Sequence, residues 1–228
     1  MRTVGLILAR GGSTRVPGKN LAVLGGRTLV RRALETALAA GCFERVALSS
    51  DDNAILAEAE ELEVVALRRP PELSTETARA SDAALHALHA LDDPSAPIEA
   101  LAILQCTSPF TAPEDVAGAV ELLERTGAES VVTVSVADAA HHPLKMKRLE
   151  GDRLLPFLED DRLTPSHELE QLWLRNGSVY VFRRDVVERG LQAEDVRGYE
   201  MPPERSFDID TPQDLAFAEF LVGRGERR

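Results

Sequence analysis

Short apolar runs alternate with helix-spaced apolar positions along most of this chain, and that rhythm restricts it to one broad fold class. Residues 4–8, 46–48, 64–66, 101–104 and 131–136 are short apolar runs of the kind that form buried strands. Between them, residues 29–38, 55–62, 81–91 and 113–125 carry apolar side chains at helical spacing. Gly41 is a stop for the first helix, Asp51 or Asp52 an N-cap for the second, Ser81 or Asp82 for the third, and Pro113 opens the fourth. The alternation predicts an α/β fold, a mostly parallel sheet covered by helices on both faces. The pattern lapses over residues 138–175, a charged, Pro-containing stretch that reads as a hairpin-like insertion, either a lid or a dimerisation arm. A strand over 178–182 and a closing helix over 214–222 follow, so the 228 residues read as a single domain carrying one insertion.

In an open sheet of this kind the ligand sits beyond the carboxyl ends of the strands. Four polar clusters fall there: 10–20, 49–52, 105–109 and 208–210. The first is the most telling. Gly11 and Gly12 let the backbone pass close to a ligand, and Arg10, Arg15 and Lys19 place three cations within ten residues of a chain whose net charge is −12. This combination suits a polyphosphate. It is not a Walker A loop, because five residues separate Gly12 from Gly18 and Asn20 follows Lys19; nor does it contain Gly-x-Gly-x-x-Gly.

Asp208 and Asp210 stand at i and i+2 before the last helix, on one face if the segment is extended, which suits Mg²⁺. Asp210 or Thr211 also reads as the cap of that helix, with Pro212 at its first position. Gln105, Thr107 and Ser108 offer an amide and two hydroxyls for a base or an acceptor. Asn176-Gly177 reads as a tight turn with positive φ or as a close approach to a ligand. Lys145 and Lys147 share a face if extended and could meet an anionic substrate, whereas His141 and His142 read as solvated loop residues. Cys42 and Cys106 form no metal or disulfide pattern, and Cys106 has no histidine partner that would make it a nucleophile.

Composition narrows the partners. The acidic balance and the 4% aromatic content argue against nucleic acid or an anionic membrane. No run approaches the about 20 apolar residues of a membrane helix, and the start of the chain lacks a signal-peptide pattern, so the expected location is the cytoplasm.

Taken in order, these segments resemble the CMP-sialic acid synthetases (acylneuraminate cytidylyltransferases). The resemblance rests on residues 9–20 (ARGGS-x-x-x-P-x-KN), 49–52 (S-x-DD), 69–73 (RPPEL), 104–109 (LQ-x-TSP), 142–146 (HP-x-KM), 176–180 (NG-x-x-Y) and 208–215 (DIDTPQDL). It implies a Rossmann-like nucleotidyltransferase fold, a homodimer joined through the insertion, and transfer of CMP from CTP to a small acidic acceptor with loss of pyrophosphate. By matched position, Ala9, Arg10, Gly11, Gly12, Ser13, Lys19, Asn20, Arg69 and Ser81 would bind the nucleotide, with Arg10 and Lys19 on the triphosphate. Asp208 and Asp210 would hold Mg²⁺. Gln105, Lys145, Lys147 and Asn176 would face the acceptor. The chain departs from the family pattern on that acceptor side. Residues 165–168 read Pro-Ser-His-Glu where the family carries Arg-Arg-Gln, and Phe110-Thr111 stands where an arginine is usual. The implied acceptor is a sialic-acid-like 3-deoxy-2-keto sugar acid, with a small phosphonate such as phosphonoformate as the alternative. The segment at 13–19 is similar also to the 3-deoxy-octulosonate cytidylyltransferases. Phosphate contacts alone do not choose the base, so GTP or another nucleotide stays open, as does a non-catalytic nucleotide-binding protein of the same fold.

Overall fold

A computed structural model describes residues 1–12, 16–158 and 165–225. In chain order the elements are β1 (Thr3–Leu8), β2 (Val23–Leu24), β3 (Arg27–Thr28), α1 (Leu29–Ala39), β4 (Arg45–Ser50), α2 (Asn53–Ala57), β5 (Val64–Arg68), α3 (Ala80–Leu91), β6 (Ala100–Leu104), α4 (Pro113–Thr126), β7 (Ser130–Val136), β8 (Lys147–Glu150), β9 (Arg153–Pro156), β10 (Trp173–Arg183), α5 (Arg184–Glu188), β11 (Val196–Glu200) and α6 (Pro212–Gly225). Seven strands form one sheet in the order β11-β7-β10-β6-β1-β4-β5. All neighbouring pairs run parallel except those of β10, which is antiparallel to both β6 and β7. The expected mostly parallel α/β sheet is therefore the observed one.

The central strands are buried on both faces, which is why they read as unbroken apolar runs. On one side, Leu29, Leu34, Val116, Val120 and Leu123 of α1 and α4 pack on Ile7, Leu48 and Leu104, and Ile209 joins the same core. On the other, Ala84, Leu88, Val186 and Val187 of α3 and α5 cover Val4, Leu6, Leu101 and Ile103.

Several local expectations change. The helix expected over 55–62 ends at Ala57. Beyond it lie Glu58, Glu60, Glu61 and Glu63, a run of like charge. Glu61 takes a positive φ of 63°, and Arg31 draws the Glu58 and Glu60 carbonyls into hydrogen bonds of 3.1 and 3.0 Å. Asp52, the expected cap, accepts from Ala54 N–H at 2.8 Å. Helix α3 starts one residue early, after Arg79, so Ser81 lies inside the helix and caps nothing. Asn176-Gly177 is not a hairpin turn: it lies within β10, where Gly177 (φ 78°) marks a shift of register between Arg175 and Tyr180. Thr211 is the residue that caps α6, with Asp214 accepting in return from the N–H groups of Asp210 and Thr211 at 3.0 and 2.7 Å. His142 is buried rather than solvated, its Nδ1 accepting from Leu144 N–H at 3.3 Å.

The insertion holds the antiparallel hairpin β8–β9, turned at Gly151 (φ 64°), so its hairpin character is as expected. Residues 159–164 of the insertion, like Ser13 and Arg15 of the cationic loop, lie outside the described residues. Among the described residues no helix is long and apolar enough to cross a membrane.

Candidate active site

Strand β1 has β4 on one side and β6 on the other, and the two flanking halves of the sheet wind away from this point in opposite directions. The crevice at such a switch point, beyond the carboxyl ends of the strands, is where α/β sheets bind ligands. The loops that leave β1, β4, β5 and β6 all meet there.

A cavity of about 260 Å³ opens at this place. Leu8, Leu73 and Ala83 give it apolar walls, while Arg10, Arg69, Arg79, Glu76 and Gln105 supply its polar groups. Arg10 Nη1 donates to the carbonyls of Thr75 and Glu76, at 2.9 and 3.4 Å, which holds the 75–76 loop over the cavity. Arg69 is almost fully buried. It donates from Nε to Ser49 Oγ at 3.2 Å and from Nη2 to Ser49 O at 2.7 Å. Burial lowers its pKa, Asp51 counteracts this and Arg10 adds to it; the site thus keeps two cations close together and gains from any bound anion. Arg79 was not singled out from the sequence. It follows an ordinary polar loop and carries no spacing signature, but its position ahead of α3 turns it to the same cavity.

The glycine pair divides its work differently from the sequence expectation. Gly11 N–H donates to Asp51 Oδ1 at 3.0 Å, and a Cβ on Gly11 would come within 2.8 Å of Asp52 Oδ2. Gly11 is thus small because the acidic end of β4 packs against it, and its N–H already has a partner. Gly12 has open space around it. Asn20, also buried, donates from Nδ2 to Arg10 O at 2.9 Å and so fixes the loop from beneath. Ala9 continues the β1–β4 ladder, donating to Ser49 O at 3.1 Å.

Lys19 connects this loop to the carboxylates near the end of the chain. Its Nζ donates to Ile209 O at 2.8 Å and to Asp210 Oδ1 at 3.3 Å, across 190 residues of sequence. Asp208 keeps an exposed face, yet its carboxyl pKa is raised, first by the surrounding protein and then by Asp210, against a hydroxyl hydrogen bond from Thr107 and the pull of Lys19. A carboxylate whose ionisation is held back in this way, with a second carboxylate beside it, fits a small divalent cation, whose charge would relieve the penalty on Asp208. No group of three or more acidic, His or Cys ligands occurs among the described residues. Mg²⁺ needs only one or two carboxylates and takes its remaining oxygens from water and phosphate, so the Asp208–Asp210 pair is the candidate for it.

The acceptor-side expectations separate. Gln105 lines the cavity, one strand away from Arg10. Asn176 faces inward, contrary to its expected place beside an acceptor. Its Oδ1 accepts from Thr133 Oγ1 at 2.7 Å and from Ser178 N–H at 3.2 Å. Its Nδ2 donates to Ser206 Oγ at 2.9 Å and sits 3.2 Å from Met201 Sδ. With every polar atom of its amide engaged, it braces the approach to Asp208. Lys145 ends a short turn and donates to Ser166 Oγ at 2.9 Å, while Lys147 begins β8, so the extended segment that would align them is absent. Neither lysine lines the cavity. Ser81 Oγ turns toward Asp82, and it too lies off the cavity lining. Burial pushes the Cys106 thiol up to about 12, which makes it inert at neutral pH. A larger hollow of about 750 Å³ lies at the opposite end of the sheet, where the amine of Met1 pairs with Glu124 at 2.8 Å. It is remote from the converging cations and carboxylates.

Comparison with known proteins shows the family and the fold. Residues 4–226 match the family model described as Cytidylyltransferase. The CMP-N,N'-diacetyllegionaminic acid synthase of Legionella pneumophila is 30% identical over 226 residues, covering 97% of both chains. The N-acylneuraminate cytidylyltransferase A of Danio rerio is 32% identical over 228 residues, which is 96% of this chain and 50% of that protein; the chain thus spans about half of its length. Among solved structures, a CMP:2-keto-3-deoxy-manno-octonic acid synthetase complexed with CTP superposes with a TM-score of 0.73 at 21% identity, covering 99% of this chain and 100% of the other, a likeness of fold.

Proposed function

The chain belongs to the cytidylyltransferase family, on the side of the CMP-sialic acid synthetases, and is a nucleotidyltransferase; from that premise we propose that it transfers CMP from CTP to a sialic-acid-like 3-deoxy-2-keto sugar acid. In the reaction an acceptor hydroxyl oxygen forms a bond to the α-phosphorus of CTP. The bond from that phosphorus to the bridging oxygen of the β-phosphate breaks, pyrophosphate leaves, and the hydroxyl proton is released. Such chemistry rests on positioning and on neutralising charge.

The observation that carries this reading is the contact of Lys19 with Ile209 O and Asp210, which joins the early cationic loop and the late carboxylate pair into one site. Arg10 and Lys19 bind the phosphates, Gly12 leaves room for their approach, and Asn20 holds Arg10's backbone in place. The cavity beside them has the apolar walls and guanidinium donors that suit a nucleobase, with Arg69, held on Ser49, and Arg79 as its cations. A Mg²⁺ ion held by Asp208 and Asp210 would supply the positive charge that stabilises the leaving phosphates. Gln105, at the end of β6, lines the same cavity and would meet the acceptor at its edge. Lys145 and Lys147 lie on the arm and off this cavity, so an acceptor carboxylate held by them would have to reach out to the arm. The test is pyrophosphate release with each of CTP, GTP, ATP and UTP across N-acetylneuraminate, N,N'-diacetyllegionaminate, 3-deoxy-octulosonate and phosphonoformate. Turnover of a nine-carbon keto sugar acid with CTP, and at least 10-fold less with the other nucleotides, is the expected result. Turnover confined to phosphonoformate would replace the acceptor, and none with any pair would leave a nucleotide-binding protein without catalysis.

The arm itself supports a homodimer. Leu149 and Leu154 oppose each other across the hairpin and are 70% and 66% exposed. Met146, Phe157 and Leu158 around them are exposed as well. Apolar side chains gathered in this way on a charged arm mark a protein contact. Replacing both Leu149 and Leu154 by Glu is expected to turn a dimer in sedimentation velocity into a monomer. A wild-type protein that sediments as a monomer at tens of micromolar would remove the dimer.

A further inference from the structure

The segment from Met201 to Asp210 carries the two carboxylates, and it has no regular structure apart from a short turn at Pro203–Arg205. Something else must set the direction of Asp208. Asp115, in the first turn of α4, is completely buried and is bound on three sides. Its Oδ1 accepts from Arg205 Nη2 at 2.7 Å and its Oδ2 from Arg205 Nε at 2.8 Å, a two-point fork. The same Oδ2 accepts from Ala112 N–H at 3.0 Å. One carboxylate therefore clamps two loops: the one that leaves β6 with Gln105 and Thr107, and the one that carries Asp208. These loops also meet directly, since Ile209 N–H donates to Thr107 O at 2.8 Å and the Thr107 hydroxyl donates to Asp208.

We infer that Asp115 and Arg205 form a positioning pair for the metal-binding carboxylates, fixing Asp208 against the loop that bears Gln105. Neither residue lines the cavity, and Asp115 binds Arg205 and the main chain at Ala112, so their effect passes through the two loops. Glu114 stands 3.7 Å from Arg205, on the exposed side of the pair, and does not replace the buried fork. The inference rests on the reading of Asp208 and Asp210 as metal ligands.

The test is Mn²⁺ binding, followed by paramagnetic resonance with α,β-methylene-CTP present so that no turnover occurs, together with kcat and KM for CTP. The double variant Asp115→Asn/Arg205→Met removes the charge pair while keeping an acceptor for Ala112 N–H, so no buried charge is stranded. Arg205→Lys keeps the charge and loses the fork, which guards against a double variant that does not fold. Both are expected to bind Mn²⁺ about 10- to 100-fold more weakly and to lose kcat in proportion, with KM for CTP within about twofold of wild type. In Arg205→Ala, added guanidinium ion at millimolar concentration is expected to restore part of the lost kcat, a rescue that a merely structural role would not give. Folded variants with wild-type Mn²⁺ affinity and kcat would overturn the positioning role. Asp208→Ala serves as the separate control: if it binds Mn²⁺ as the wild type does, the metal assignment itself fails, whatever the pair does.

Discussion

Asp208→Asn is expected to lower kcat for CMP transfer by about 10²- to 10³-fold while leaving the apo protein folded. The loss follows from charge. In the proposed reaction the pyrophosphate that leaves carries more charge than Arg10 and Lys19 neutralise, and the amide cannot hold a hard dication. Stability should move the other way. The carboxyl of Asp208 has its pKa raised above the ordinary 3.8 by the surrounding protein and by Asp210. A raised carboxyl favours folding only where it is protonated in the folded state. Its contribution is complete below pH 3.8 and is lost as pH rises through the folded pKa, so at neutral pH the ionised group burdens the apo fold. Asn stays neutral at every pH. The melting temperature of the apo variant should therefore match or exceed that of wild type at pH 7, and the difference should vanish below pH 3.8. Saturating Mg²⁺ with CTP should raise the wild-type melting temperature more than that of the variant. Scanning calorimetry with and without the metal nucleotide measures both effects. An Asp208→Asn enzyme with wild-type kcat would end the role given to this carboxylate.

How much of this site is legible in sequence depends on what each residue touches. Strands β1, β4 and β6 are buried on both faces, so their apolar runs announce them, and the polar clusters just past their ends follow from topology alone. Strand β11 carries no such mark. It is an edge strand in which Arg197 and Gly198 are exposed, so nothing in its composition demands burial. The antiparallel direction of β10 is hidden for a different reason: periodicity reports which face is buried and not which way a strand runs. Within the site, Lys19 and Asp210 could be named separately because charge near a strand end is visible, but the 3.3 Å between them is a tertiary fact. Asn176 misled because Asn-Gly is ordinary turn chemistry, whereas the partners that claim its amide, Thr133, Met201 and Ser206, lie on β7 and on the segment that carries Asp208. Arg79 was overlooked because a lone arginine in a polar loop looks like solvated surface until α3 is placed beside β1 and β6.

Lys19→Met is expected to damage both catalysis and stability, which separates it from Asp208→Asn. The Lys19 side chain is only 15% exposed, and its ammonium satisfies a main-chain carbonyl that lies within the core-bound turn at Ile209. Methionine keeps the apolar stem and removes the donor, leaving Ile209 O without that partner. A hydrogen bond from a charged donor contributes about 1.5–3 kcal/mol, and most of the expected destabilisation comes from it. The ion pair with Asp210 adds little, because Asp210 is 43% exposed and solvent screens it. For catalysis the ammonium has a second, proposed role: to offer positive charge to the triphosphate together with Arg10. Its loss should therefore appear in nucleotide affinity and in kcat together, with kcat/KM for CTP down about 10²- to 10³-fold. The preference for CTP over CMP in binding should shrink, since CMP lacks the β- and γ-phosphates that Lys19 is proposed to meet. Lys19→Arg should not restore the wild type, because the planar guanidinium cannot reach the Ile209 carbonyl and a phosphate with the geometry of a point charge. Calorimetric titration of CTP and CMP, set beside steady-state kinetics, distinguishes these results. If Lys19→Met binds CTP as tightly as wild type and turns over at the same rate, then the contact between the cationic loop and the carboxylate turn is architecture alone, and the triphosphate must lie elsewhere.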